Sequence, residues 1–378
     1  MFRNLARVAV SRPAPVMVNM RTNVTVSAGL VKKLRDLTGA PMIECKKALT
    51  NVLGDEAIDT TTESLTMTAA SEWLRKRGSA LAANKAGRTA KEGVVVYAVD
   101  KDARKGAVVE INCETDFVAR NSIFLGFATR AALAALNAPV AGATVEPSGN
   151  AHLINMETYT ATTLPEGPAA MATNPDAANN TVAQELIDVI TNCRENVKVR
   201  RAAIVEVPAG STGFIAPYIH NELPTPEEIQ SYIDSLTGKG YQIRFGGAAA
   251  LATVVHQGER SEETLQLTRK IAMQAVAARP DYLARVNVPQ SVIEKEKEII
   301  LATSNVEGKD PKLVERLIDG KLNKFYENTV LLDQQFLITN DTKKPKIMEL
   351  LEKDTTKPSI VQLLRFQRGE GVEEGTDE

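Results

Sequence analysis

The pattern of apolar and polar positions predicts three short helices across residues 27–78. Two apolar stripes recur at helical spacing, and a polar or glycine-bearing break ends each of them. The stripes consist of Leu30, Leu34 and Leu37, followed by Met42, Cys45, Leu49 and Val52. A third helix is predicted over residues 69–77, with a Thr- and Ser-rich loop at 56–68 before it, Gly78 as its end and a linker at 79–92 after it. Helices of this length favour a small three-helix bundle.

Beyond the linker, apolar runs become typical of strands. Gly93–Asp100 and Lys105–Cys113 predict two strands around a charged turn, and a helix is predicted over Ser122–Leu136. Comparable elements follow at Val182–Cys193 and Glu262–Ala278 for helices and at Lys198–Val207, Gly213–Ile219 and Gly247–Val255 for strands. Because antiparallel hairpins are accompanied by helices that stand apart from them, the predicted fold class is α+β. We expect a two-part core of antiparallel sheets with helices, divided into residues 93–210 and 211–288.

Other stretches break this regular pattern. Residues 137–180 are small, polar and interrupted by prolines, which predicts a long surface excursion with little helix or strand. Residues 221–241 form an acidic, proline-bearing insertion. Residues 289–329 are charged and have a helical period, which predicts a helical hairpin that projects from the core. The C-terminal segment, residues 330–378, is expected to contain a short helix near Ile347–Leu351 and to end in an acidic tail.

Composition argues against several classes of function. The chain has 45 Lys and Arg residues against 47 Asp and Glu residues, so its charge gives no support for a broad nucleic-acid-binding surface. Its three cysteines, Cys45, Cys113 and Cys193, and its three histidines are scattered, which argues against a disulfide framework and a metal centre. The sequence contains neither a phosphate-binding glycine loop nor a serine–histidine–carboxylate motif, so we expect a non-enzymatic protein. No apolar run approaches the ~20 residues that span a bilayer.

The first 29 residues differ in charge from the rest of the chain. They contain four arginines and no acidic residue, and the first carboxylate is that of Asp36. This composition is typical of a mitochondrial transit peptide, and we assign one to residues 1–26. The alternative is an unstructured amino terminus that is basic by chance. The transit-peptide interpretation predicts that the protein works in the mitochondrial matrix.

The candidate functional residues follow the second predicted strand. The apolar run before Cys113 stops at an acidic and polar turn, and a large apolar residue, Phe117, comes directly after Asp116. The pattern alone favours a buried Phe after a helix N-cap, with Thr115 or Asp116 as the cap, because capped strand-to-helix turns are common.

A family resemblance reverses that preference. Asn112-Cys-Glu-Thr-Asp-Phe-Val-Ala-Arg-Asn121 is similar to the signature of the elongation factor Ts family. The segment Leu30–Leu49 resembles the amino-terminal module of the same family, a three-helix bundle of the ubiquitin-associated (UBA) type. The resemblance implies a guanine-nucleotide exchange factor whose partner is elongation factor Tu, in its GDP-bound and nucleotide-free forms. It implies no cofactor and no direct contact with nucleic acid or membrane, and it makes Phe117 an exposed wedge.

The resemblance also implies roles for particular residues. One group is implied to dislodge magnesium from the partner: Thr115, Asp116, Phe117 and Val118. A second group is implied to dock the partner: Arg35, Met42, Ile43 and Lys46 in the bundle, and His220 in the second half of the core. The insertion at 221–241, which the usual family pattern lacks, lies directly beside His220. A runner-up of another class is a ubiquitin-binding or scaffold protein that uses only the bundle, which would leave Thr115–Val118 without a function.

Overall fold

A computed structural model shows a helical bundle, a sheet with helices packed on it and a C-terminal pair of helices. The described residues are 26–38, 40–53, 63–139, 144–146, 149–167, 180–304, 310–339 and 344–372. The predicted transit peptide, except for Val26, therefore lies outside the described residues, as do residues 56–62 of the predicted loop. Every helix in the described part of the chain is too short or too polar to span a lipid bilayer.

Three helices form the bundle: α1 (Ala28–Thr38), α2 (Met42–Leu53) and α3 (Glu63–Lys85). Their apolar faces meet in one cluster, in which Leu34 and Leu49 are fully buried. The predicted bounds of the third helix are wrong. It begins within the predicted loop and continues through Gly78, so the first part of the predicted linker at 79–92 is helix.

Gly78 lies within α3, at the point where this helix packs against the core. A Cβ atom at Gly78 would lie 2.9 Å from Thr191 Oγ1 and 3.1 Å from Ile187 Cγ2, both on core helix α7 (Val182–Cys193). The glycine therefore permits a close approach of two helices, although it costs about 1 kcal/mol in helix propensity relative to Ala. Helix α3 thus joins the bundle to the core without a break.

Within the described residues, the core is built on one antiparallel sheet of eight strands. They are β1 (Glu92–Val99), β2 (Lys105–Cys113), β3 (Thr144–Val145), β4 (His152–Leu153), β5 (Lys198–Glu206), β6 (Gly213–Glu222), β7 (Gln242–Val255) and β8 (Ser359–Gln367). Their order is β3-β4-β5-β2-β1-β7-β6, and β8 pairs with β7. Strand β7 begins at Gln242 rather than at the predicted Gly247. Its first part pairs with β1 and its second part with β8, so one sheet joins the two predicted parts of the core.

Helices segregate onto the faces of this sheet, which confirms the α+β class. Helices α5 (Ser122–Leu136), α7 and α8 (Glu227–Gly238) share a core cluster with one face of β1, β2 and β5. Helices α9 (Glu262–Ala278) and α12 (Ile347–Lys353) pack with β7 and β8 in a second cluster. The predicted bounds of α5, α7 and α9 are confirmed. Helix α5 is buried from Phe124 to Leu136, which fixes the end of β2 and the turn that leads into it.

The described part of the predicted excursion at 137–180 contains little helix or strand, as predicted, but it is not confined to the surface. Strands β3 and β4 extend the sheet from β5, and helix α6 (Met156–Thr160) follows them. Tyr159 is fully buried, and its hydroxyl donates a hydrogen bond to Ala131 O at 2.6 Å. The apolar residues of this stretch are widely spaced among polar ones, so no period reveals that they point inward.

The insertion at 221–241 contributes to the core. Its helix α8 buries three apolar side chains against the cluster that contains α5: Ile229, Ile233 and Leu236. Pro226 stands at the N-cap of this helix, where a missing backbone N–H costs little. The prolines and acidic residues that suggest a loop therefore belong to the start of a helix.

The C-terminal region contains the predicted helices and one strand that the sequence pattern did not predict. Helices α10 (Gln290–Thr303) and α11 (Pro311–Thr329) pack on each other, and α12 stands at the predicted short helix. The strand β8 occupies part of the predicted C-terminal segment. Successive residues of β8 point to opposite faces of the sheet, so its apolar residues enter two core clusters, and a register shift beside Val254 places Ile360 on the same side as Leu363. These apolar residues are Ile360 and Leu363 in one cluster and Leu364 and Phe366 in the other.

Candidate functional site

The candidate site is the turn between β2 and α5. Strand β2 ends at Cys113, the four-residue helix α4 (Asp116–Ala119) follows, and α5 begins at Ser122. Thr115 is the N-cap of α4: its backbone is extended, with φ −125° and ψ 156°, and its Oγ1 accepts a hydrogen bond from Val118 N at 3.4 Å. Asn121 caps α5 in the same way. Two N-caps in succession therefore turn the chain twice within a few residues.

This turn exposes Phe117. The residue is 82% exposed, so the interpretation as a core Phe is wrong. Its neighbours Val118 and Ala119 point the other way, half-buried and buried respectively against the core cluster. Asp116 is exposed and lies 3.7 Å from Arg120 in an ion pair along the helix. An aromatic ring in water is available for a partner to bury.

A residue from another part of the chain closes the turn. Glu195, just beyond the end of α7, accepts hydrogen bonds at Oε2 from Glu114 N at 3.1 Å and Thr115 N at 3.0 Å. Its Oε1 accepts a hydrogen bond from Thr115 Oγ1 at 2.6 Å. Glu195 was not among the predicted site residues, because its contact with Thr115 joins positions 80 residues apart and follows no local motif.

The two thiols beside the turn, those of Cys113 and Cys193, are not activated as nucleophiles. Burial raises the pKa of the Cys113 thiol to about 12, and its Sγ donates a hydrogen bond to Thr115 O at 3.1 Å. Burial also raises the pKa of Cys193 to about 11. Both thiols are therefore protonated at neutral pH, and a protonated thiol is a poor nucleophile. In the described part of the chain, no group of three or more Cys, His, Asp or Glu side chains could hold a metal ion.

The bundle residues named by the resemblance form a separate exposed surface. Met42 and Ile43 are 42% and 61% exposed at the start of α2, and Lys46 follows them one turn later. Arg35 is exposed on α1. All four residues are exposed on helices of the bundle, whereas the turn at Phe117 belongs to the core.

His220 lies in a third region. It is exposed on β6, which stands three strands from β2 in the sheet, and its Nδ1 is 3.3 Å from the hydroxyl of Tyr218. A surface cleft beside it is lined by Met273 and Arg279 of the α9 region and by Arg368. The predicted site residues thus form three surfaces, and only Thr115–Val118 are contiguous with the cap network.

Known proteins match the chain across these regions. The sequence profile of the family described as Elongation factor TS matches residues 114–370, from the turn at Thr115 to the residues just after β8. The chain belongs to the elongation factor Ts family. The resemblance inferred from two sequence blocks is therefore confirmed, and the protein is a member of a family of translation elongation factors.

Individual elongation factor Ts proteins cover most of the chain. One from Rhodospirillum rubrum is 34% identical over 349 residues, which is 92% of this chain and 94% of the relative. One from Clostridium perfringens is 35% identical over 350 residues, with 92% and 94% covered. One from Prosthecochloris aestuarii is 33% identical over 324 residues, with 86% and 91% covered. These three relatives are bacterial proteins.

Proposed function

We propose that the protein is a guanine-nucleotide exchange factor that binds GDP-bound elongation factor Tu and promotes GDP release so that GTP can bind. The observation that carries the proposal is the 82% exposure of Phe117 on a capped turn within the segment that matches the elongation factor Ts family. Burial of a large aromatic side chain by a partner lowers the free energy of the complex.

The proposed mechanism is contact without covalent chemistry. Thr115, Asp116, Phe117 and Val118 enter beside the magnesium ion of the GTPase and dislodge it, which weakens the hold on GDP. Coupling is reciprocal, so a thousandfold loosening of GDP requires about 4 kcal/mol of preference for the nucleotide-free form. Burial of Phe117 supplies roughly 1.5–3 kcal/mol of this amount. The remainder must come from other contacts in the complex.

Those contacts are proposed to come from the other two surfaces. Arg35, Met42, Ile43 and Lys46 dock the bundle onto elongation factor Tu, and His220 docks the second half of the core. The exposed apolar residues on α2 support the first assignment. When a partner covers neighbouring apolar side chains together, their burial contributes to the free energy of binding. We further propose that exchange needs no cofactor and that the protein contacts neither nucleic acid nor membrane directly.

The proposed compartment is the mitochondrial matrix. Its support is the arginine-rich, acid-free composition of residues 1–26. The relatives named above are bacterial, so they give no support for this compartment. A fusion of residues 1–30 to a fluorescent reporter tests this part. We expect the reporter in mitochondria, and a cytosolic reporter would contradict the assignment.

Release of labelled GDP from elongation factor Tu, with and without this protein, tests the exchange function. We expect release to accelerate with protein concentration and to saturate, while the protein alone turns over no GTP. Unchanged release at saturating protein would contradict the proposal.

A further inference from the structure

We propose that Glu195 is a positioning residue for Phe117: its carboxylate holds the turn that presents this side chain to the partner. The inference rests on the proposed exchange function and adds to it a residue that lies outside the Thr115–Val118 motif. Glu195 does not touch the partner in this proposal. It acts through Thr115.

The geometry gives the carboxylate three donors from one turn. Oε2 receives the N–H groups of Glu114 and Thr115, and Oε1 receives the Thr115 hydroxyl at 2.6 Å. Because that hydroxyl gives its hydrogen to Glu195, it presents a lone pair to Val118 N, which it caps. Glu195 thus sets the direction of the hydroxyl that starts α4. Hydrogen bonds to an ionised acceptor are about twice as strong as neutral ones.

The contact between the two turns is reciprocal. Asn196 N donates to Glu114 Oε1 at 2.6 Å, so each turn supplies a carboxylate to the backbone of the other. The Asn196 side chain, which is 5% exposed, also donates to Arg88 O at 2.6 Å. Glu195 itself is therefore held in place from its neighbour.

Helix α4 is too short to hold this position by its own hydrogen bonds. It has four residues, and a helix of one turn is unstable alone because nucleation fixes several dihedrals for one hydrogen bond. Its packing is limited to the buried Ala119 and the half-buried Val118. The carboxylate cap adds to this packing a directional restraint at the start of α4, next to Phe117. If the turn sampled other orientations, a smaller fraction of the molecules would hold Phe117 in the orientation that the partner binds.

The test compares Glu195→Gln with Glu206→Gln, a glutamate at the end of β5 whose side chain pairs with Lys105 at the surface. For each variant, GDP release from elongation factor Tu is measured over a range of protein concentrations. Glu195→Gln should lower the maximal rate by about tenfold, the size of one charged hydrogen bond. The concentration for half-maximal rate should change by less than about twofold, because the bundle surface is intact. Glu206→Gln should match the unsubstituted protein.

A double variant and an exchange measurement keep the test independent of folding. Thr115→Val removes the hydroxyl that Glu195 Oε1 accepts, and because Thr115 also belongs to the proposed magnesium-dislodging group, the variant is read only in combination with Glu195→Gln. The double variant should cost less than the product of the single effects, since both substitutions remove one contact. Hydrogen–deuterium exchange of the segment 112–121 should accelerate in Glu195→Gln without a matching change across α9.

The outcomes separate the two proposals. If the unsubstituted protein does not accelerate GDP release, the proposed function fails and the positioning role fails with it. If it does, and Glu195→Gln keeps the full maximal rate, only the positioning role is overturned. Unaltered hydrogen exchange at 112–121, or a maximal rate that falls only in step with global stability, would overturn it as well.

Discussion

Two regions of the molecule present apolar side chains to solvent, and they do so by different means. On the bundle, Met42 and Ile43 stand on α2, a helix of 12 residues with four buried residues of its own. In the core, Phe117 stands on α4, a helix of four residues with one buried residue. The first surface is held mainly by packing. The second has only a small packed contact, to which the hydrogen bonds of Thr115 and Glu195 are added.

The difference separates two tasks of the proposed exchange factor. Packing is distributed over many residues, so the bundle surface keeps its shape when one exposed side chain is removed. A cap network is concentrated in a few atoms, so the turn is specific in direction and sensitive to single changes. We therefore expect the bundle to govern affinity for the partner and the turn to govern the rate of GDP release.

Removal of the Phe117 ring should give the largest effect. Phe117→Ala is expected to lower the maximal rate of GDP release by about tenfold to a hundredfold, the equivalent of one buried Phe side chain. Because the ring is 82% exposed, its removal leaves no cavity, and the thermal midpoint should change little. Stopped-flow release of labelled GDP and thermal unfolding of the same sample measure both quantities.

Phe124→Ala is the matched control, because Phe124 is fully buried at the start of α5. It should lower the midpoint by many degrees, at a cost of about 3–5 kcal/mol. A Phe117→Ala variant that loses stability on that scale would contradict the wedge assignment.

Truncation of the bundle surface should act on affinity. The double variant Met42→Ala, Ile43→Ala is expected to raise the half-saturating protein concentration by about tenfold, since each side chain loses part of its burial in the complex. The maximal rate should remain within about twofold of the original. A fall in the maximal rate with unchanged half-saturation would reverse the division of tasks between the two regions.

The two regions also differ in how far the sequence predicts them. In the bundle, helical periodicity predicted the buried positions Leu34, Cys45 and Leu49. It also placed Leu37 and Met42 on the same stripes, although both are exposed, and the docking residues were named by the family resemblance. The exposure of Phe117 was predicted only from the family resemblance of a ten-residue motif, since the capped start of a helix is compatible with either a buried or an exposed Phe. Glu195 was out of reach because a contact across 80 residues depends on the tertiary fold.

The same contrast holds for the fold. Helices α5, α7 and α9 were predicted with their bounds because each has a long apolar face and a definite start. Strand β8 and helix α8 were missed, since a register shift interrupts the first and prolines precede the second. The prediction that Gly78 ends α3 was wrong because a tertiary contact, the close packing of α3 against α7, accounts for this glycine.

The continuous helix α3 gives a third prediction, since it fixes the bundle relative to the core. Gly78→Leu should force α3 away from Thr191 and Ile187, whose atoms lie 2.9 and 3.1 Å from the site of a Cβ. The two surfaces would then engage the partner less well together, and we expect half-saturation to rise about fivefold. Gly87→Leu is the control, because a Cβ there meets no atom within 4 Å. Equal binding by both variants would mean that the surfaces act independently.

The smallest expected effect concerns the ion pairs that hold α2. Glu44 lies beside Met42 and Ile43, and its carboxylate is 2.7 Å from Arg77 on α3 and 2.9 Å from Lys47. Burial opposes ionisation of Glu44, but the hydrogen bonds from Lys47 and Arg77 outweigh it and lower its pKa. The core has no part in these contacts, so they affect only the surface that is held by packing.

A lowered pKa in the folded state fixes the direction of the pH effect. The stabilisation by Glu44 is fully present above the ordinary pKa of a glutamate and is lost as the pH falls through the lowered value of the folded state. Glu44→Gln removes this dependence, so its thermal midpoint should lie below that of the unsubstituted protein at neutral pH and converge with it in acid. The difference should stay below about 1 kcal/mol, as for most partly exposed ion pairs. A difference that does not shrink in acid would mean that Glu44 acts by packing, like the rest of the bundle surface.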